Sequence, residues 1–157
     1  MKQKVLYWLP LCILPTSNIL ISLIMKQPMT PALPYILGAV AEELFFRWFL
    51  LKTILLPRMK PVIAILLVSV LFAGMHLLNL RTGAGIGNTL VQMLFAFCFS
   101  IWAGAVVWRK GSILIPMLAH VLLNLTAVTE GMLIPLAVSV IVLADGILLL
   151  KGSENEQ

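Results

Sequence analysis

Between Pro34 and Leu56 the chain reads PYILGAVAEELFFRWFLLKTILL, an apolar run about as long as a bilayer-crossing helix that nonetheless holds Glu42, Glu43 and Arg47. No other feature limits the fold as tightly. A charge at the centre of such a helix costs roughly 3 kcal/mol on insertion scales, so three charges this close together must be paired, wetted or put to use. Glu43 and Arg47 stand four apart and share a helix face, which allows an ion pair. Glu42 is turned about 100° from Glu43 and needs partners from other helices. The chain offers comparable polar residues in two places: His76 with Asn79, and His120 with Asn124.

The rest of the chain sets the surroundings. With 61% hydrophobic and 11% charged residues, it falls outside the soluble range and reads as an all-α, polytopic membrane bundle. Six apolar runs of about 17 to 23 residues lie at 5–25, 33–56, 61–80, 88–108, 112–129 and 131–150, and each is expected to span the bilayer. A lipid-facing segment must satisfy its own backbone, and none of these runs alternates as a barrel strand would. They form one integral membrane domain over residues 1–151, followed by a polar tail over 152–157.

The net charge is +5, but the basic residues sit between the runs, where they mark topology rather than a nucleic-acid stripe. With a cytoplasmic N-terminus, Lys2, Lys4, Lys52, Arg58, Lys60, Arg109, Lys110 and Lys151 fall inside, and Lys26 and Arg81 outside. That bias predicts both termini inside a multi-pass cell-membrane protein. Lys2 and Lys4 precede an apolar run without a small-x-small cleavage site, so the first helix is expected to stay attached. Cys12 and Cys98 lie within runs and read as packing residues. The loop from Gln27 to Pro34 is expected to be a stiff connector, and Arg81 to Asn88 a flexible, glycine-rich outer loop. Asp145, near the end of the sixth run, is expected to reach interfacial water.

Phe72, His76 and Asn79 share one face of the third run, and His120 and Asn124 one face of the fifth. All of these costly groups are satisfied together only if the three helices converge. A carboxylate withdrawn from water is a stronger base and could take a proton from water while an amide or imidazole steadies the resulting oxyanion. Nothing resembles a Ser or Cys nucleophile beside a base, so the water itself would attack. Glu42, His76 and His120 could alternatively ligate zinc, although HExxH is absent and Arg47 opposes a cation; no metal or cofactor is expected. A proton-coupled carrier is a further reading, disfavoured by the lack of a strong inverted repeat.

The ordered motifs Glu42-Glu43-x-x-x-Arg47, Phe72-x-x-x-His76 and His120-x-x-x-Asn124, with one helix between the last two, resemble the CPBP family. That family groups type II CAAX prenyl endopeptidases with bacteriocin-processing and immunity proteins, also called Abi proteins. The stretches FAGMHLLNL and GSILIPMLAHVLLNL agree with it, and the resemblance covers about Ala39 to Val128. It implies an intramembrane glutamate protease of a bacterial membrane, which the six runs make a minimal member of the family. Glu42 would be the base and His76 would hold the water with it. His120 and Asn124 would stabilise the oxyanion, with Glu43 and Arg47 in support. The implied partner is a membrane-associated peptide or protein substrate within the lipid bilayer. The alternative the resemblance leaves open is a non-enzymatic bacteriocin immunity protein or membrane-sensor partner.

Overall fold

The computed structural model describes residue 16, residues 32–126 and residues 133–151. The first apolar run apart from Thr16, most of the Gln27 to Pro34 loop, residues 127–132 and the polar tail lie outside the described residues. Among the described residues there are five helices and no strand. Helix α1 (Ala32–Glu43) runs directly into a π-helical segment (Leu44–Leu55). Helix α2 (Pro61–Met75) runs into a 3-10 segment (His76–Thr82). Then come α3 (Ile86–Lys110), α4 (Leu114–Thr126) and α5 (Leu133–Lys151). Each matches one apolar run, and the stretches Pro61–Thr82 and Ile86–Lys110 are long and apolar enough to cross a membrane.

Local sequence chemistry accounts for the ends. Pro61 occupies the first turn of α2, where its missing N–H costs nothing. Pro34, expected in the connector, likewise falls in the first turn of α1. Gly83 ends the 3-10 segment with φ 91°, a left-handed conformation that a side chain disfavours. Gly85 is already the extended N-cap of α3. The segment Arg81 to Asn88 is therefore mostly helix end and helix start around a tight turn at Gly83–Gly85, not the flexible loop its glycines suggested. Arg109 and Lys110 in the last turn of α3 complement the negative end of the helix dipole.

The π segment begins immediately after Glu43. Its wider register continues through Leu56 N–H, which donates to the Leu51 carbonyl at 2.9 Å. Thr53 Oγ1 donates to the Trp48 carbonyl, also five residues back, at 2.9 Å.

Helix α3 is the centre of the bundle. Every residue from Cys98 to Val107 is buried, the pattern of a helix packed on all sides. It lies between α2 and α5, while α1 pairs with α4. Close crossings need glycine: a Cβ on Gly104 would come within 2.9 Å of Ile65 Cγ2, and one on Gly146 within 3.0 Å of the Trp102 backbone. The outward face of α2 (Val62, Ile63, Leu66, Leu67, Val70, Leu71) is exposed and apolar, as a lipid-facing surface must be.

The Gly146 crossing corrects the expectation for Asp145, which is 2% exposed and does not reach interfacial water. Its neighbour Gly146 seats that face of α5 on α3 and carries the acid inward. The Trp102 side chain is the donor within reach, although neither carboxylate oxygen has a well-aligned hydrogen bond.

One end of the bundle is tied by cations. Lys52 Nζ donates to the Gly111 carbonyl, and Arg109 Nε to the Leu149 carbonyl at 3.0 Å. Lys52, Arg58, Lys60, Arg109, Lys110 and Lys151 all fall on the helix ends and turns gathered there.

Candidate active site

The site is built where α1 gives way to the π segment and α4 crosses it. Glu43 and Arg47 are both fully buried, with Arg47 Nε 3.3 Å from Glu43 Oε2. The contact is coulombic, because its alignment falls short of a hydrogen bond. Two charges removed from water on the same helix are tolerable only as a pair. The i, i+4 spacing provides that pairing.

From α4, His120 enters between the two carboxylates. Its Nδ1 stands 3.0 Å from Glu43 Oε1 and its Nε2 stands 3.7 Å from Glu42 Oε2. An ionised carboxylate accepts only, so Nδ1 carries the proton and donates it to Glu43. That bond fixes the ring and leaves Nε2 facing Glu42. Arg47, Glu43, His120 and Glu42 thus form a line that starts in the dry interior. It ends at Glu42, whose side chain is 32% exposed.

The other expected residues stand around this line. His76 begins the 3-10 segment, and its Nδ1 lies 3.0 Å from the Phe72 carbonyl. A carbonyl only accepts, so Nδ1 is the donor and Nε2 the acceptor in the neutral ring. Among the described residues His76 makes no hydrogen bond or ion pair with Glu42, Glu43 or His120. It meets them through Phe72, whose ring centroid is 5.4 Å from that of His76 and 5.8 Å from that of His120. Asn124, one turn beyond His120, donates from Nδ2 to the Tyr35 carbonyl of α1 at 3.5 Å. Asn79 is engaged elsewhere: its Nδ2 donates to Gln92 Oε1 at 2.8 Å, joining the 3-10 segment to α3.

The structure therefore brings Glu42, Glu43, Arg47 and His120 into direct contact, with His76 one aromatic ring away and Asn124 on the same α1–α4 seam. Two contributors went unassigned in the sequence. Phe72 was legible only as a motif letter, and Phe99, whose centroid is 5.4 Å from that of His120, gave no signal among the many apolar residues of its run. Among the described residues no group of three His, Cys, Asp or Glu side chains converges as a metal-ligating set, so Glu42, His76 and His120 do not assemble the zinc site considered above.

Chemically, the arrangement provides a partly open carboxylate, an imidazole fixed by a second carboxylate, and an amide nearby, all inside an apolar bundle. Comparison with known proteins bears on what such a set serves. No curated protein and no solved structure matches the chain. A family model does, over residues 17–126, which takes in every residue of the cluster; its description is type II CAAX prenyl endopeptidase Rce1-like. The helical bundle, the apolar spans and this match agree: the chain belongs to the Rce1-like type II CAAX prenyl endopeptidase family, whose members are membrane-embedded proteases.

Proposed function

We propose that the chain is an intramembrane endopeptidase of the glutamic type, hydrolysing a peptide bond in a membrane-associated peptide or protein. The observation that carries this reading is the 3.7 Å between Glu42 Oε2 and His120 Nε2. The distance is too long for a direct hydrogen bond, yet one oxygen atom can lie about 2.8 Å from both. An oxygen placed there touches a base on one side and an imidazole on the other.

In this mechanism Glu42 takes a proton from a water held between it and His120 Nε2, and the water oxygen adds to the scissile carbonyl carbon. The carbonyl oxygen becomes an oxyanion, received by the Asn124 amide and by Nε2–H of the protonated His120 ring. A donor of this kind is typically worth about 3 kcal/mol in the transition state. With that ring protonated, the two carboxylates, the guanidinium and the imidazolium sum to zero charge, the least costly state to bury. As the C–N bond breaks, Glu42 returns its proton to the leaving amine, and the products are a carboxylic acid and an amine. Glu43 and Arg47 do no chemistry; they hold His120.

We also read the chain as a six-span protein of a bacterial cell membrane with both termini cytoplasmic. Support for that orientation comes from the six cations gathered at one end of the bundle, against Arg81 at the other.

Glu42→Gln tests the proposal, since it preserves size and hydrogen bonding and removes the base. Peptides released from membranes carrying wild-type and variant protein are mapped by mass spectrometry. Cleavage by the variant is expected to fall by orders of magnitude while insertion into the membrane is unchanged. Equal turnover by the two proteins rejects the mechanism.

A further inference from the structure

Phe72 is 2% exposed and lies near the end of α2, where it could pass for core filling. Its surroundings are not those of a filler. The Arg47 guanidinium carbon stands 4.3 Å from the centre of its ring. The His76 and His120 rings meet it edge-to-face, at 69° and 80°, and Phe46 braces it at 83°. The Phe72 carbonyl also accepts the His76 Nδ1–H. One residue thus touches the buried cation and both histidines.

The choice of an aromatic ring has a chemical consequence. Nη1 and Nη2 of Arg47 have no hydrogen-bond acceptor among the described residues, and of the two rings over the charge Phe72 is the nearer, at 4.3 Å against 5.9 Å for Phe99. A ring face attracts a desolvated guanidinium without offering a lone pair. An amide or hydroxyl in its place would compete with Glu43 for the N–H groups and turn the guanidinium away. With the ring there, Arg47 stays on Glu43, and Glu43 stays on His120 Nδ1.

We propose that Phe72 is the positioning residue of this site: its face holds Arg47 on Glu43, its edge and carbonyl set the orientation of His76, and together these fix where the two histidines stand relative to Glu42. The proposal rests on the endopeptidase reading for its catalytic part and on geometry alone for its structural part. A core filler tolerates leucine. A platform does not.

The experiment uses the full chain in lipid nanodiscs, as wild type, Phe72→Leu and Phe72→Tyr. Tyrosine keeps the ring face; leucine removes it. The sequence contains two histidines, so ring-15N labelling gives one set of signals for each. Phe72→Leu is expected to shift the ring-nitrogen signals of both histidines and to lower kcat on the mapped substrate by about 10- to 100-fold, the scale of a misplacement of about 1 Å, with KM within about twofold. Phe72→Tyr is expected to keep both signal sets and to hold kcat within about threefold. Should Phe72→Leu not insert, Phe72→Met is read in the same way. Unmoved histidine signals, or a Leu variant with wild-type kcat, overturn the proposal. If the wild-type protein cleaves nothing, the endopeptidase reading fails, and the histidine signals alone decide whether Phe72 positions them.

Discussion

Arg47→Met leaves Glu43, in the middle of the bundle, without the guanidinium that pairs with it. At 3.3 Å and an effective dielectric of 20, the pair attracts by about 5 kcal/mol, and the cost of desolvating both ions offsets much of that. The net worth of the intact pair is therefore small, but losing one partner strands the other. Stranding a buried charge costs about 3–5 kcal/mol, and the lost contact with Phe72 lies within that range. Glu43→Gln strands Arg47 for a similar cost, although a glutamine oxygen can still accept the His120 Nδ1–H. The double variant strands nothing and is expected within about 2 kcal/mol of wild type, far above the sum of the singles. Reversible unfolding in mixed micelles, followed by far-ultraviolet circular dichroism, measures all four corners of the cycle. An Arg47→Met cost below about 1 kcal/mol, or additive singles, would mean that the pair is not sealed from water, and the account of how His120 is held would fall.

Two further outcomes follow from packing and ligand geometry. Gly146→Val must push α5 off α3, since even a Cβ would sit 3.0 Å from the Trp102 backbone; destabilisation of about 1–3 kcal/mol is expected in the same unfolding assay, and an unchanged midpoint would place the crossing elsewhere. Because Glu42, His76 and His120 do not converge as ligands, washing the active protein with chelator is expected to leave turnover unchanged. Activity lost on chelation and restored by zinc would revive the metalloprotease reading.

Much of this was legible in the chain. Among the described residues, the second to sixth apolar runs matched the helices to within a few residues, because a segment with nothing but lipid or protein around it has no other way to satisfy its backbone. The Glu43–Arg47 contact followed from their spacing alone. The π segment did not: in LFFRWFLLKTIL the polar residues Arg47, Lys52 and Thr53 interrupt an apolar run without forming a stripe, and an i→i+5 register leaves no mark on such a sequence. Asp145 was misjudged for a related reason. Its distance along the chain from Lys151 suggested an interfacial acid, but which face of α5 turns inward is decided by Gly146 meeting Trp102, a contact between residues far apart in sequence. The same limit applied at the site: the residue types named the acids and histidines to look for, but not that His120 alone of the two histidines meets the acids, nor which nitrogen meets which carboxylate. That assignment depends on the pairing of α1 with α4.

The geometry gives a reason for two acids in a row. Carboxylates four apart on a helix would stack on one face and reach the same edge of a neighbouring ring. Adjacent ones diverge by about 100° and make an open fork, and an imidazole with nitrogens on opposite edges fits between its arms. Glu43 takes Nδ1 at 3.0 Å and Glu42 faces Nε2 at 3.7 Å. Arg47, one turn on from Glu43 and off the Glu42 face, then makes the arms unequal. Glu43 is buried and committed to a cation and a ring proton, while Glu42 keeps an exposed edge and no hydrogen-bonded partner among the described residues. Identical side chains one position apart are thereby given different environments, and it is the uncommitted arm to which the proposed mechanism assigns the proton taken from water.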